Sequence, residues 1–200
     1  MEFSGFFANV WASNIDFNDE AALITTEDSS VEIDFTLGYN HEFSENTSAG
    51  IKAVYYYYPD ADYVTGVTTE YDYFEAIATL SHDFGRAAIS GEVAWSPDYF
   101  NETGDAVSVK GGVSVPLVKQ FAFMGALTAS ANVGYQWIDD NVLFGTPDYL
   151  YFDIGATAEW EIFAFDVRWV DTDLEEAECF SGSDLCEGGI VLSVTANLPG

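Results

Sequence analysis

YDYFEAIATLSHDFGRAAISGEVAWSPDYF, residues 71–100, decides how this chain is to be read. It divides into two alternating runs around a tight turn at Asp83-Phe84-Gly85. In the first run Phe74, Ala76, Ala78 and Leu80 interleave with Tyr73, Glu75, Ile77 and Thr79. In the second, Ala87, Ile89, Gly91, Val93 and Trp95 interleave with Ala88, Ser90, Glu92 and Ala94. Successive side chains of a strand point to opposite faces, so a period of two predicts a hairpin with one apolar and one wetter face. Small residues and aromatics on the apolar face, with an aromatic near its far end, form the pattern of a membrane-spanning strand pair.

The same period recurs along the chain and predicts ten strands, at about 3–13, 29–40, 48–58, 71–83, 86–96, 105–116, 120–137, 148–160, 162–171 and 188–197. Val31, Ile33, Phe35, Leu37 and Tyr39 alternate with Glu32, Asp34, Thr36 and Asn40. Gln120 to Ile138 is uncharged and long enough for a membrane helix, but from Leu127 onward its apolar and polar residues alternate strictly. A helix would scatter those polar residues around its circumference, so the segment reads as a strand.

Charge gives an independent test of the phasing. Glu32, Asp34, Lys52, Glu75, Glu92, Lys110, Asp153, Asp166 and Arg168 all fall on the face opposite the apolar one. A Lys or Arg on a lipid-facing position costs about 2–4 kcal/mol at the bilayer midplane, which gives this segregation physical weight. The connections alternate as well. Short ones are expected around His41–Asn46, Phe84-Gly85, Leu117–Lys119 and Glu161, and long ones around 14–30, 59–70, 96–104, 138–147 and 172–188. The long connections carry acids, among them Asp16, Asp19, Glu20, Asp28, Asp60, Asp62, Glu102, Asp139, Glu175, Glu176 and Glu187, and no Lys or Arg. The expected fold is therefore one all-β domain over residues 1–200. It is an antiparallel up-and-down transmembrane β-barrel of about ten strands, with short periplasmic turns and long acidic extracellular loops. Trp11, Tyr39, Tyr71, Trp95, Tyr135, Trp137, Trp160 and Trp169 are expected in interfacial girdles.

Five Lys and Arg against thirty-four Asp and Glu give a formal charge of −29, which repels nucleic acid and favours cations. The opening MEFSGFFANV carries no basic stretch followed by an apolar core, so the chain is expected to lack an export signal as it stands. Cys179 and Cys186 are close in sequence and suit a disulfide in an oxidising compartment; two unpaired thiols are the alternative.

Several phrases together carry a family resemblance: GFFANVWASNIDF (5–17), VEIDFTLGY (31–39), VYYYYPDAD (54–62), YDYFEA (71–76), WSPDYF (95–100), VGYQ (133–136), WVDTDL (169–174) and DLC (184–186) before IVLSVT (190–195). In this order and spacing the chain resembles the TorF porin family, outer-membrane proteins of Gram-negative bacteria. The resemblance implies a location in the cell outer membrane and supplies no catalytic residue. Members of that family usually have a signal peptide and a further strand pair with an FRG-like turn ahead of the point where this chain begins, giving twelve strands in intact relatives. Their last strand usually ends in a hydrophobic or aromatic residue, where this chain has Asn197-Leu198-Pro199-Gly200.

Enzymatic chemistry finds little support. His41 and His82 fall near short turns on different hairpins with no serine motif beside them, and read as surface histidines. Asp171, Asp173, Glu175, Glu176 and Glu178 lack the spacing and glycine of a calcium-binding EF-hand loop and read as a solvated acidic loop, with weak Ca²⁺ binding as the alternative. No cofactor or tightly bound metal is expected. The sharpest functional idea lies in the nine charged residues of the polar face, expected to line a pore. Rings of carboxylates replace part of an ion's hydration and favour cations. The partners would be outer-membrane lipid and small solutes or cations. Two alternatives compete. One is a closed structural or surface-binding barrel whose interior is filled by Tyr56, Tyr58, Tyr73 and Tyr151. The other is a soluble lipocalin-like barrel with an apolar inside.

Overall fold

The computed structural model describes residues 2–3, 5–15, 25–27, 30–59, 62–63, 71–118, 125–180 and 182–197. Ten long strands follow one another: β1 (Phe6–Asn14), β2 (Val31–Ser44), β3 (Thr47–Tyr57), β4 (Tyr73–Asp83), β5 (Ala88–Ser96), β6 (Ala106–Val118), β7 (Leu127–Ile138), β8 (Tyr149–Trp160), β9 (Phe163–Thr172) and β10 (Gly189–Ala196). Each pairs antiparallel with its sequence neighbours, so the order in the sheet is the order in the chain. Glu2–Phe3 adds a two-residue strand beside the start of β1, which makes the sheet eleven-stranded, and Thr25–Glu27 pairs separately with Asp62–Tyr63. This is an all-β, up-and-down architecture. Among the described residues no pairing joins the β1 edge to the β10 edge.

Most boundaries fall where the alternation starts and stops, with two exceptions. β2 continues to Ser44 because His41 and Phe43 keep the apolar phase, and ring contacts of 6.4 Å and 4.7 Å link Tyr39, His41 and Phe43 along that face. The expected connection His41–Asn46 therefore shrinks to a turn at Glu45-Asn46. The expected strand at 120–137 is seen from Leu127 onward, and β6 runs on to Val118, into the turn expected at Leu117–Lys119; residues 119–124 lie outside the described residues. The β6–β7 register shifts between Leu127 and Thr128, opposite Pro116 and Val118. Proline has no N–H for the ladder, and such irregularities are where strands accommodate it. Gly85, at φ +81°, makes the β4–β5 turn in a conformation that side chains resist.

The sheet is inside out relative to a water-soluble one. Leu37 is 67% exposed, Ile51 65%, Ile154 60% and Leu192 75%, all on one face. Cross-strand register puts Phe35 beside Tyr55, Tyr55 beside Phe74, Ala131 beside Ile154, and Val167 beside Leu192 on that same face. The opposite face is less accessible yet carries the polar residues. Its apolar content is concentrated in two clusters: Val54, Ile77 and Ala94 with Tyr56, and Ala106, Ile138 and Phe144 with four further aromatics.

At the long-connection end three short helical turns, none anticipated by the periodicity, fold against this second cluster. They are two 3₁₀ turns, Phe100–Glu102 and Glu176–Glu178, and α1 (Asn141–Phe144). Asp140 caps α1 by accepting from the Leu143 N–H at 2.9 Å, and Gly145 closes it in the left-handed region.

Candidate functional site

All nine charged residues singled out from the sequence lie on the less accessible face, and register relates them. Glu92 stands directly opposite Lys110 across β5 and β6, and their charged groups meet at 2.6 Å. Arg168, on β9, is the centre of a larger lattice. Its guanidinium donates Nε to Asp166 Oδ1 at 3.2 Å and Nη2 to Asp166 Oδ2 at 3.1 Å, a two-pronged contact that matches the planar geometry of both groups. Nη1 donates to Asp153 on β8, and Nη2 also reaches Ser130 Oγ on β7 at 2.9 Å. Asn132 donates to both oxygens of Asp153 at 2.9 and 3.0 Å, and Thr157 donates to Asp166 at 2.7 Å. Three neighbouring strands are thus braced through one arginine.

The other end of the sheet is built differently. Glu75 accepts from Tyr56 Oη at 2.9 Å, and the Tyr56 and Tyr73 rings stack with centroids 4.3 Å apart. Asp34 sits between Trp11 and Tyr56 in the cross-strand register. Its Oδ1 is shut off from solvent and has no hydrogen-bond partner among the described residues. Lys52 stands opposite Gly38 and Ile77 on the same face. The lattice and this aromatic stretch form two regions of one polar face, with the Glu92–Lys110 pair between them.

Two residues expected in aromatic girdles lie elsewhere. Trp11 is paired with Asp34 and so belongs to the polar face, because β1 carries Phe6, Ala8, Val10 and Ala12 on the apolar one. Tyr71 is fully buried in loop packing, stacked on Phe100 at 4.7 Å and edge-on to Tyr58 at 6.1 Å. This packing forms a cap over the end of the polar face. Tyr73 meets Tyr99 at 4.9 Å, Tyr99 meets Phe144 at 5.7 Å, and Phe144 meets Phe180 at 5.5 Å, so connections 97–105, 139–148 and 173–188 converge. Burial pushes the Tyr99 and Tyr58 phenols well above their ordinary range. Cys179 and Cys186 are joined in a disulfide, with Cys179 completely buried beside Phe180. The sequence marked the charged residues of the polar face but not this cap. Its one available signal was the density of aromatics, Tyr99, Phe100, Phe144 and Phe180, in connections that otherwise read as polar.

The remaining sequence candidates stay apart. His41 lies on the apolar face among Tyr39 and Phe43, while His82 bonds Thr47 at 2.8 Å and lies edge-on to Phe84. Among the acids 171–178, Asp173 accepts from the Leu150 N–H at 2.7 Å, and Glu178 accepts from the Glu175 N–H at 3.1 Å. Asp16, Asp19, Glu20, Asp28 and Asp60 lie outside the described residues. No group of His, Cys, Asp and Glu with metal-holding geometry occurs among the described residues.

Residues 2–197, almost the whole chain, match the model of a bacterial protein family of unknown function, Gcw_chp. The chain belongs to the Gcw_chp family. No curated protein and no solved structure matches this Gcw_chp chain. Its family membership therefore places it among bacterial proteins, and the reading of its chemistry rests on the face just described.

Proposed function

We propose that the sheet closes into an outer-membrane β-barrel that lets small solutes, cations in preference to anions, diffuse passively through an acidic lumen. The observation that carries this reading is the inverted distribution of polarity. An extended apolar face is exposed along the strands, and nine charged residues line the face that is less accessible. In water that arrangement would leave a contiguous apolar surface with no stabilising burial; in a bilayer each face meets a solvent of its own kind. An even number of long strands gives β1 and β10 opposite directions, so the two edges would pair antiparallel on closure. The resemblance to the TorF porin family supports the same location. The protein would work without catalytic turnover or cofactor.

Six acids against three bases leave the polar face net negative, the basis for cation preference. The test is single-channel recording after refolding into a planar bilayer with asymmetric KCl. Conductance steps with a reversal potential favouring K⁺ are expected; silence from an inserted, heat-resistant barrel would overturn the pore.

One observation favours a second reading, a non-conducting structural or surface-binding barrel. The aromatic cap joins three connections at the end of the polar face, and the ion pairs already satisfy much of its charge. The same recording separates the two.

A further inference from the structure

The cross-strand row Trp11–Asp34–Tyr56–Tyr73 runs over β1, β2, β3 and β4 on the polar face, beyond the reach of the Arg168 lattice. Directly opposed residues on adjacent strands have Cβ atoms about 4.5–5.5 Å apart, so Asp34 stands in the row between a tryptophan and a tyrosine. Tyr56 is fixed on its far side by stacking on Tyr73, interplanar angle 11°, and its hydroxyl is committed to Glu75. Trp11 is 51% exposed on a face where the charged residues are only partly accessible. The Lys52 position is four residues from Tyr56 along β3, about 13 Å of strand, which leaves it poorly placed to pair with Asp34.

Among the described residues Asp34 enters no ion pair and its Oδ1 accepts no hydrogen bond, so the charge of this carboxylate is left to be balanced by a solute that reaches the row. A small hydrated metal cation is a poor match, since ring faces cannot replace its lost water. A substituted ammonium fits: its charge is diffuse and weakly hydrated, its alkyl groups pack on ring faces, and the ring quadrupole attracts it. We propose that this row binds an organic cation of the substituted-ammonium class, with Asp34 as its counter-charge and Trp11 and Tyr56 as the flanking faces. The inference rests on reading the polar face as open to solutes, and it names the class of solute held there.

Binding can be read without conduction. The full chain, refolded in detergent micelles, is titrated calorimetrically and by tryptophan fluorescence with tetramethylammonium chloride, and with KCl at matched ionic strength. The expected midpoint is about tenfold lower for tetramethylammonium than for K⁺. Asp34→Asn, which keeps the side-chain shape, should raise that midpoint about tenfold. Trp11→Leu should raise it similarly in the calorimeter and remove the fluorescence change, whereas Tyr56→Phe, which keeps the ring, should leave it within about twofold. Each variant is first checked for the wild-type heat-dependent shift on gels. Because Trp11 lies on the edge strand, its replacement gives a second readout should Asp34→Asn fail to fold. Equal midpoints for the two cations, or an unchanged midpoint in either Asp34→Asn or Trp11→Leu, would overturn the site. A barrel that binds tetramethylammonium but never conducts would retain the site and lose the pore. One that conducts without discriminating the two cations in the titration would do the reverse.

Discussion

Arg168 satisfies two carboxylates at once, and removing it would leave both without their cation on a face where each is about four-fifths covered. Arg168→Met is expected to lower stability by about 1–3 kcal/mol, less than for a fully buried pair because some water reaches these groups. A urea midpoint followed by tryptophan fluorescence in micelles reads this directly. Gly155 supports the same lattice in a different way. It pairs with Arg168, and a Cβ there would come within 2.6 Å of the Val167 carbonyl oxygen and 3.1 Å of the Arg168 Cα. Both obstacles are backbone, so relief requires moving β9. Gly155→Ala should therefore cost about 1–3 kcal/mol, although alanine is ordinarily no worse than glycine in a strand. A midpoint equal to the wild type would mean that β9 yields easily. At the cap, the raised phenol of Tyr99 has a pH consequence. A folded-state value above the unfolded one stabilises below the unfolded pKa, near 10, and that contribution fades as pH rises beyond it. The cap should loosen in alkali, seen as loss of near-ultraviolet circular dichroism, and Tyr99→Phe should move the transition upward in pH.

The strands themselves offer a sharper discrimination. Leu37 points from the middle of β2 onto the apolar face. If that face meets lipid, Leu37→Arg costs about 2–4 kcal/mol at mid-bilayer; if it meets water, the change is close to neutral and improves solubility. Comparing urea midpoints in vesicles for Leu37→Arg and for Thr36→Arg, its neighbour on the other face, would decide between these. The two outermost strands give a second test. Amides of β1 and β10 that have no partner among the described residues should resist hydrogen exchange in vesicles if the edges pair, and exchange freely if they stay apart. The strands were legible in the sequence because a period of two is a local property, written in neighbours such as Val31 to Asn40. Trp11 was misplaced for the opposite reason. Its own strand alternates weakly, and only pairing with Asp34 assigns its face. The cap was illegible because Tyr71, Phe100 and Phe144 are polar-loop residues by context and meet only through contacts distant in sequence.

At the scale of the whole molecule, charge is the dominant property. A formal −29 produces a field that salt screens over about 10 Å at 0.1 M and about 3 Å at 1 M. A conducting barrel should therefore lose much of its preference for K⁺ over Cl⁻ across that range, while a preference set by contact with wall carboxylates alone would persist. Reversal potentials at a fixed gradient and rising mean concentration read the difference. That the nine charged residues share one face was legible from the sequence, but how they divide into braced and unbraced stretches was not, since that depends on which strands stand next to each other.

That division carries one more consequence. β5 and β6 hold a neutral pair, β8 and β9 hold two acids against one base, and β2 to β4 hold three acids against one base. In the proposed barrel the wall would be electrically lopsided, with the imbalance pointing across the passage, not along it. A solute bearing both signs, such as an amino acid, would feel a torque there. It would turn its ammonium end towards β2–β4 and travel sideways-on, so its effective width would be set by its dipole as well as by its size.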